Sequence, residues 1–386
     1  MIPRPPACPS LPSPSHARGA GGAWLLATLM LAACGGGGDP VQPERSCTEA
    51  PTQAKCVTAL PTPLRTLAAA KGRYVGAALD ARFFTREAAY DSLLAREFNM
   101  VVAGNVMKWE PLTRNGRFAY RWANPDYLVS FAQANGMKVR GHTLAWHQQN
   151  PTWLSSGSFG ADTLRQILKE HVDSVVGHYR GKIHAWDVVN EALADGSGAL
   201  RAAGPWAPLL GRDYIDIAFR AARAADPAAL LFYNDYSLEF AGAKQDSALA
   251  LIQGMKARGV PIDGIGFQGH FQINADGSGV PSRQSLIDTF NRFAALGLKV
   301  EITELDVRVR TAATPAELAA QARGFGDVVA ACLAVPACDA IVVWGVNDGE
   351  SWIPGTFPGY GRALLFDDLL ARKETYTAVH AALSSS

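Results

Sequence analysis

The run Tyr74-Val75-Gly76-Ala77-Ala78-Leu79-Asp80-Ala81-Arg82 decides between two common ways of alternating strands with helices. Its apolar half reads as a first β-strand. A doubly wound nucleotide-binding sheet continues from that strand into a glycine-rich phosphate loop, and Leu79-Asp80-Ala81-Arg82 is no such loop. Working outward, β-branched or aromatic runs begin again near Met100, Lys138, Ile183, Leu230, Ile265, Leu298 and Ile341, eight in all. Helical patterns with clear punctuation fill the gaps. Asn124-Pro125 opens one as N-cap and first-turn proline, and Gly136 closes it. Asp162 to Arg180 is amphipathic and stops at Gly181, and Arg212 to Ala225 stops before Asp226-Pro227. Others run from Ala243 to Arg258, from Ser282 to Leu296 and from Pro315 to Val335. Eight strands alternating with helices imply a parallel sheet, and the number eight implies closure. The expected class is α/β, a (β/α)8 TIM barrel.

Composition agrees with a body of enzyme size. Of 386 residues, 48% are hydrophobic and 18% charged, against roughly 25% charged in average domains, which excludes a disordered chain. Lys+Arg is 36 and Asp+Glu is 35, a net charge of +1, so no global field steers the chain to nucleic acid. The N-terminus is different in kind. Arg4 and Arg18 precede an apolar run from Ala20 to Ala33, too short to span a membrane and of signal-peptide length. It ends in Leu31-Ala32-Ala33-Cys34, which resembles a bacterial lipobox. Residues 1–33 are therefore expected to be a signal peptide, Cys34 lipidated, 34–64 a Gly- and Pro-bearing linker, and 65–386 the barrel. The expected location is outside the cell, held at the bacterial surface or outer membrane by lipid alone, or else secreted. A monomer is expected. Setting aside Cys8 and Cys34, four thiols remain, and their spacing suggests local disulfides Cys47–Cys56 and Cys332–Cys338. Zinc knuckles have narrower spacing and nearby His, so no metal is expected there.

In a barrel of this kind the reactive face lies at the strands' carboxyl ends. Those ends read Gly104-Asn105-Val106-Met107-Lys108-Trp109-Glu110, His142-Thr143-Leu144-Ala145-Trp146-His147-Gln148-Gln149, Trp186-Asp187-Val188-Val189-Asn190-Glu191, Tyr233-Asn234-Asp235-Tyr236, Gln268-Gly269-His270, Thr303-Glu304-Leu305-Asp306 and Trp344-Gly345-Val346-Asn347-Asp348. Amides, imidazoles, indoles and carboxylates dominate. Such a mouth suits a sugar, because amides and carboxylates hydrogen-bond hydroxyls while indole faces pack on the ring's C–H surface. Two carboxylates on opposite walls, Glu191 on the fourth strand and Glu304 on the seventh, could cleave a glycosidic bond, one protonated and the other ionised.

Trp186-Asp187-Val188-Val189-Asn190-Glu191 and Ile302-Thr303-Glu304-Leu305-Asp306 closely resemble the two signature segments of family 10 glycoside hydrolases, the retaining endo-β-1,4-xylanases. Gly141 to His147, Met107-Lys108-Trp109, Tyr233 to Tyr236, Gln268-Gly269-His270 and Trp344-Gly345-Val346 match further segments in the same order, over about residues 70–383. The resemblance implies Glu191 as acid/base and Glu304 as nucleophile, about 5 to 5.5 Å apart as retention demands. It implies contacts to xylan or xylo-oligosaccharide from Asn105, Lys108, His142, Trp146, Gln149, Asn190, Tyr236, Gln268, His270, Trp344 and Trp352, with Asn190 on the 2-hydroxyl and His270 keeping Glu304 ionised. It implies no cofactor and no metal, and it adds a cis peptide bond at His142-Thr143. A β-1,4-glucanase of the same fold and a non-catalytic xylan-binding lipoprotein are the competing functions.

Other residues read as supports. His147 is expected to be buried and structural, and His171, His178, His184 and His380 to be scaffold or surface. Asp187 and Asp306 flank the reactive carboxylates and are expected to orient rather than react, and Trp109 to be core. Asn190 and Glu191 are neighbours yet both are assigned to the site, so the fourth strand is expected to lose its regularity there. One departure stands out. Family members usually carry Glu where this chain has Gly104, so weak binding is expected two sugars from the cleavage point, and Gly104→Glu is expected to improve kinetics on short oligomers.

Overall fold

The computed structural model describes residues 61–385. The expected signal segment, Cys34 and the Cys47–Cys56 pair lie outside the described residues. Ten strands follow one another: β1 (Tyr74–Leu79), β2 (Met100–Ala103), β3 (Lys138–Ala145), β4 (Ala185–Asn190), β5 (Leu230–Asp235), β6 (Gly264–Phe267), β7 (His270–Gln272), β8 (Lys299–Arg310), β9 (Cys338–Val343) and β10 (Tyr360–Gly361). Eight of them form a closed parallel barrel, β1-β2-β3-β4-β5-β6-β8-β9, in which β9 returns to β1. The seventh expected strand is thus β8 and the eighth β9. Short β7 and β10 pair with the outer end of β8. Strands of two or three residues carry no readable period, so neither is visible in the sequence.

The strands are apolar because both of their faces are covered. On one side of the barrel Ala78, Met100, Val102, Ala340 and Val342 pack together inside, with Tyr74 and Trp344 against them. The alternate residues Val75, Ala77, Val101, Ile341 and Val343 belong to the larger core shared with the helices, as a period of two requires. The opposite side of the interior is polar. Arg140, fully buried, donates to Asp187 and to Glu301 and lies 4.4 Å from the Phe232 ring centre. Burial pushes the Glu301 carboxyl up to about 8 in spite of Arg140. A buried charge is tolerated where it is paired, as Arg140 is with Asp187.

Helix starts need two corrections. The helix Ala123–Ala134 has Trp122, not Asn124, at its cap position, with no side-chain cap bond. Asn124 falls within the first turn, and Pro125 sits where a backbone amide has no partner to lose. Asp162 likewise lies one residue inside the helix Ala161–His178. Ser282 does cap the helix Arg283–Ala294, and Thr314 with Glu317 opens Pro315–Ala334 by a reciprocal capping box.

Cys332, near the end of that last helix, is joined to Cys338 at the start of β9, with Cα atoms 5.2 Å apart. The loop is short, so the link removes a modest amount of chain entropy from the unfolded state. Replacing both by Ala is expected to lower the unfolding free energy by ~2–3 kcal/mol. An unchanged urea midpoint and slope would contradict this.

Candidate active site

At the carboxyl end of the barrel lies a cleft of about 760 Å³. Every residue assigned to catalysis or sugar binding from the sequence lines it: Glu191, Glu304, Asn105, Lys108, His142, Trp146, Gln149, Asn190, Tyr236, Gln268, His270, Trp344 and Trp352.

Three local irregularities make this convergence possible. The β4–β5 register shifts between Asp187 and Val189, β4 ends at Asn190, and Glu191 adopts a left-handed φ of 54°. Asn190 and Glu191 therefore both reach the cleft although they are neighbours. On β8 the register with β9 shifts between Ile302 and Leu305. Thr303 Oγ1 donates to Asn234 Oδ1 at 2.6 Å, while Glu304 Oε1 accepts from Asn234 Nδ2 at 2.8 Å. On β3 the His142-Thr143 peptide is cis, and the register with β4 shifts between His142 and Ala145. Asn234 leans over Gly266, where a Cβ would come within 2.2 Å of its Oδ1. Only glycine allows that approach.

The two carboxylates have different surroundings. Glu304 is buried, with His270 Nε2 3.2 Å from its Oε2 and His142 Nδ1 4.0 Å from its Oε1. Burial alone would raise its carboxyl, but the His270 hydrogen bond and the nearby His142 and His270 outweigh burial and hold it below the ordinary range. Burial likewise disfavours protonated His270, yet Asp306, 2.9 Å from Nδ1, and Glu304 push it up to about 10. His142 is oriented by Asp187 at 2.9 Å. Glu191 accepts from Trp146 Nε1 at 2.8 Å and from Gln268 Nε2 at 3.1 Å. His147, expected as scaffold, has its Nδ1 3.8 Å from Glu191 Oε2, and burial lowers it to about 4, leaving it neutral. The Asn190 amide lies between Gln268 and Asn234, 3.2 and 2.9 Å from their side-chain nitrogens.

These values set a pH dependence. His270→Gln removes a group that holds the Glu304 carboxyl down, so the carboxyl rises. The acid limb of kcat/KM is then expected to move to higher pH, because Glu304 takes up its proton earlier on acidification. An acid limb in the same place would show that another group governs ionisation.

On one wall Lys108 Nζ donates to Asn105 Oδ1 at 2.9 Å and lies 4.9 Å from the Trp146 ring centre. Burial lowers this amine to about 8, against the nearby Glu304, Asp80 and Glu191. Gln149 Nε2 also donates to Asn105. Trp344 stands edge-on to His142 with ring centres 5.2 Å apart, and Trp352 Nε1 donates to Asp306 at 2.8 Å. Across the cleft Tyr236 hydrogen-bonds Asp195 and accepts from Arg201. Trp109 belongs to the core, its ring stacked on His171.

The sequence pointed away from some lining residues. In the sequence Asp80 marks only the absence of a phosphate loop. It follows β1, lines the cleft beside Gly104, and its Oδ2 accepts from Asn105 Nδ2 at 2.5 Å. The alternation along β1 that puts Ala78 inside was the available signal. Arg308 and Phe357 also line the cleft. Arg308 had the same signal on β8, while Phe357 sits in a loop that carries none.

A closed (β/α)8 barrel whose cleft sets one carboxylate held ionised among amides and indoles, with a second carboxylate on the facing wall, defines a hydrolase of glycosidic bonds. The chain belongs to glycosyl hydrolase family 10, whose family model it matches over residues 63–382. It is 41% identical over 317 residues to endo-1,4-beta-xylanase 5 of Pyricularia oryzae, covering 81% of this chain and 76% of that one. It is 40% identical over 320 residues to endo-1,4-beta-xylanase B of Thermotoga neapolitana, covering 82% and 90%. Among solved structures, xylanase 10B of Thermotoga petrophila in complex with xylobiose superposes with a TM-score of 0.80 at 39% identity, over 84% of this chain and 98% of that one.

Proposed function

We propose that this chain is a retaining endo-1,4-β-xylanase in which Glu304 attacks the anomeric carbon and Glu191 is acid and then base. The observation that carries the mechanism is the unlike setting of the two carboxylates. Glu304, gripped by Asn234 and His270, is suited to stay ionised as a nucleophile. Glu191, on the facing wall, meets the neutral donors Trp146 and Gln268 and the neutral His147 rather than a cation, and the family resemblance gives it the proton for the leaving oxygen. In the first step the Glu304 oxygen bonds to the sugar and the Glu191 proton passes to the departing chain. In the second, Glu191 takes a proton from water, whose oxygen displaces Glu304, and the original anomeric configuration is restored. The family resemblance gives Asn190 the 2-hydroxyl, and the two steps proposed need no cofactor.

The choice of xylan rests on family membership and on the xylanases this chain resembles. Reducing ends released from xylan and from carboxymethylcellulose, assayed side by side, test it. Hydrolysis of xylan with little of the cellulose derivative is expected. Comparable rates would favour a glucanase, and no release from either would favour a binding lipoprotein. The Leu31-Ala32-Ala33-Cys34 segment supports export and a lipid anchor at Cys34, and radiolabelled palmitate incorporation lost in Cys34→Ser tests that part.

Asp80 alters the expectation at Gly104. A Cβ there would meet the Leu79 carbonyl oxygen at 3.0 Å and Asp80 Cβ at 3.8 Å, so Gly104→Glu crowds the backbone and sets a second carboxylate beside Asp80. That variant is expected to lose kcat/KM on xylotriose rather than gain it. Asp80, beside Asn105 and near Lys108, supplies the carboxylate for a distant sugar in this reading. Asp80→Asn is expected to lower kcat/KM on xylotriose about tenfold, the share of a charged hydrogen bond. Unchanged kinetics in Asp80→Asn would remove it from the site.

A further inference from the structure

Strand β8 overshoots the barrel, and its outer end, flanked by β7 and β10, forms a wall of the cleft. Side chains alternate along it, so Asp306 and Arg308 share the face of Glu304. Asp306 is engaged by His270 and Trp352. Arg308 has no part in the mechanism. Its Nε donates to Gln272 Oε1 at 3.1 Å, and its guanidinium carbon lies 3.9 Å from the centre of the Phe357 ring, which is itself edge-on to Trp352. The side chain is half-buried and lines the cleft. Among the described residues no carboxylate forms an ion pair with it, whereas the next outward arginine, Arg310, has Glu317 at 2.8 Å. Lys108, the other ammonium or guanidinium cation lining the cleft, is already hydrogen-bonded to Asn105.

An arginine stays protonated at every working pH, and its planar fork fits a carboxylate in two parallel hydrogen bonds. A plain xylose chain offers a guanidinium only neutral hydroxyl acceptors, whereas a carboxylate offers an opposite charge and two oxygens matched to the fork. We propose that Arg308 is a recognition site for an acidic substituent, a uronate carboxylate borne as a branch on the polysaccharide. The proposal rests on the xylanase reading and goes beyond it. The remainder of the cleft bears on placement: Asp80 and the ionised Glu304 line it and repel an anion, which favours the branch beside Trp352 and Phe357. Arg308 lies four residues beyond Glu304, roughly 13 Å along an extended strand. It therefore binds a branch and does not touch the reacting bond.

The experiment compares kcat/KM on a uronate-branched xylan with kcat/KM on the same polymer after its carboxyls are reduced to alcohols, for the unaltered chain, Arg308→Met and Arg308→Lys. The unaltered chain is expected to favour the acidic polymer about five- to tenfold at low salt, the lower end for a charged hydrogen bond because the site is open to water. The advantage shrinks as salt is added. In Arg308→Met the ratio between the two polymers falls to about one, and Arg308→Lys keeps part of it. Each ratio is internal to one protein, so a general loss of rate in a variant does not imitate the effect. A ratio of about one in the unaltered chain, or the same ratio in Arg308→Met, overturns the proposal and leaves Arg308 as a clamp on Phe357. Failure of the unaltered chain on unbranched xylan instead overturns the xylanase reading.

Discussion

With Gln in place of Glu304, kcat on xylan is expected to fall roughly 10⁴- to 10⁶-fold, with kcat/KM falling in step, because the lost group forms a bond only on the way to the transition state. The replacement keeps the shape of the side chain. Its oxygen can still accept from Asn234 Nδ2, as Glu304 Oε1 does at 2.8 Å. Its amide nitrogen then faces His270 Nε2, where a proton now stands in the way. His270 is pushed up to about 10 by Asp306 and Glu304 together, so removing one of these charges moves its titration downward, which histidine NMR detects. In the unaltered chain, NMR of the fresh product should show the β-anomer first. Inverted product appearing first, or a Glu304→Gln variant keeping a tenth of its rate, would end the two-step mechanism.

Glu191→Ala should separate the two carboxylates by their dependence on the leaving group. On xylan the departing sugar alcohol needs a proton, and losing a positioned acid is expected to reduce kcat/KM roughly 10³- to 10⁴-fold. On an aryl xylobioside with an acidic phenol, bond cleavage needs no such help. That step should remain within about tenfold while release of the sugar from Glu304 slows, giving a burst of phenol. Glu304→Gln, by contrast, should lose on both substrates alike. Equal losses on both substrates in Glu191→Ala would remove it from the acid role.

The fold was legible because a buried parallel barrel writes itself as continuous apolar runs, such as Met100-Val101-Val102-Ala103, separated by helices that stop at glycines. Helix starts were less legible. Asn124 favours a cap by type, yet the helix begins at Ala123, and the run expected from Asp162 begins at Ala161. Residue types at the strand ends were enough to name Glu191, Glu304 and the surrounding amides and indoles, since chemistry of this kind needs those groups and few others there.

What the chain order could not convey is which neighbours face the same way. Period-two alternation places Thr303 and Glu304 on opposite sides, yet both touch Asn234 because the β8 register slips there. For Asp80 and Arg308 the sequence carries only strand alternation, which says which face each takes and not what that face lines. They became lining residues only when β1 closed against β9 and β8 extended past the barrel between β7 and β10. Composition and periodicity are local properties, and they determined the barrel and its reactive rim. The registers, the left-handed turn at Glu191 and the partners of each charge depend on contacts between residues far apart in the chain, and those were decided only by closure of the sheet.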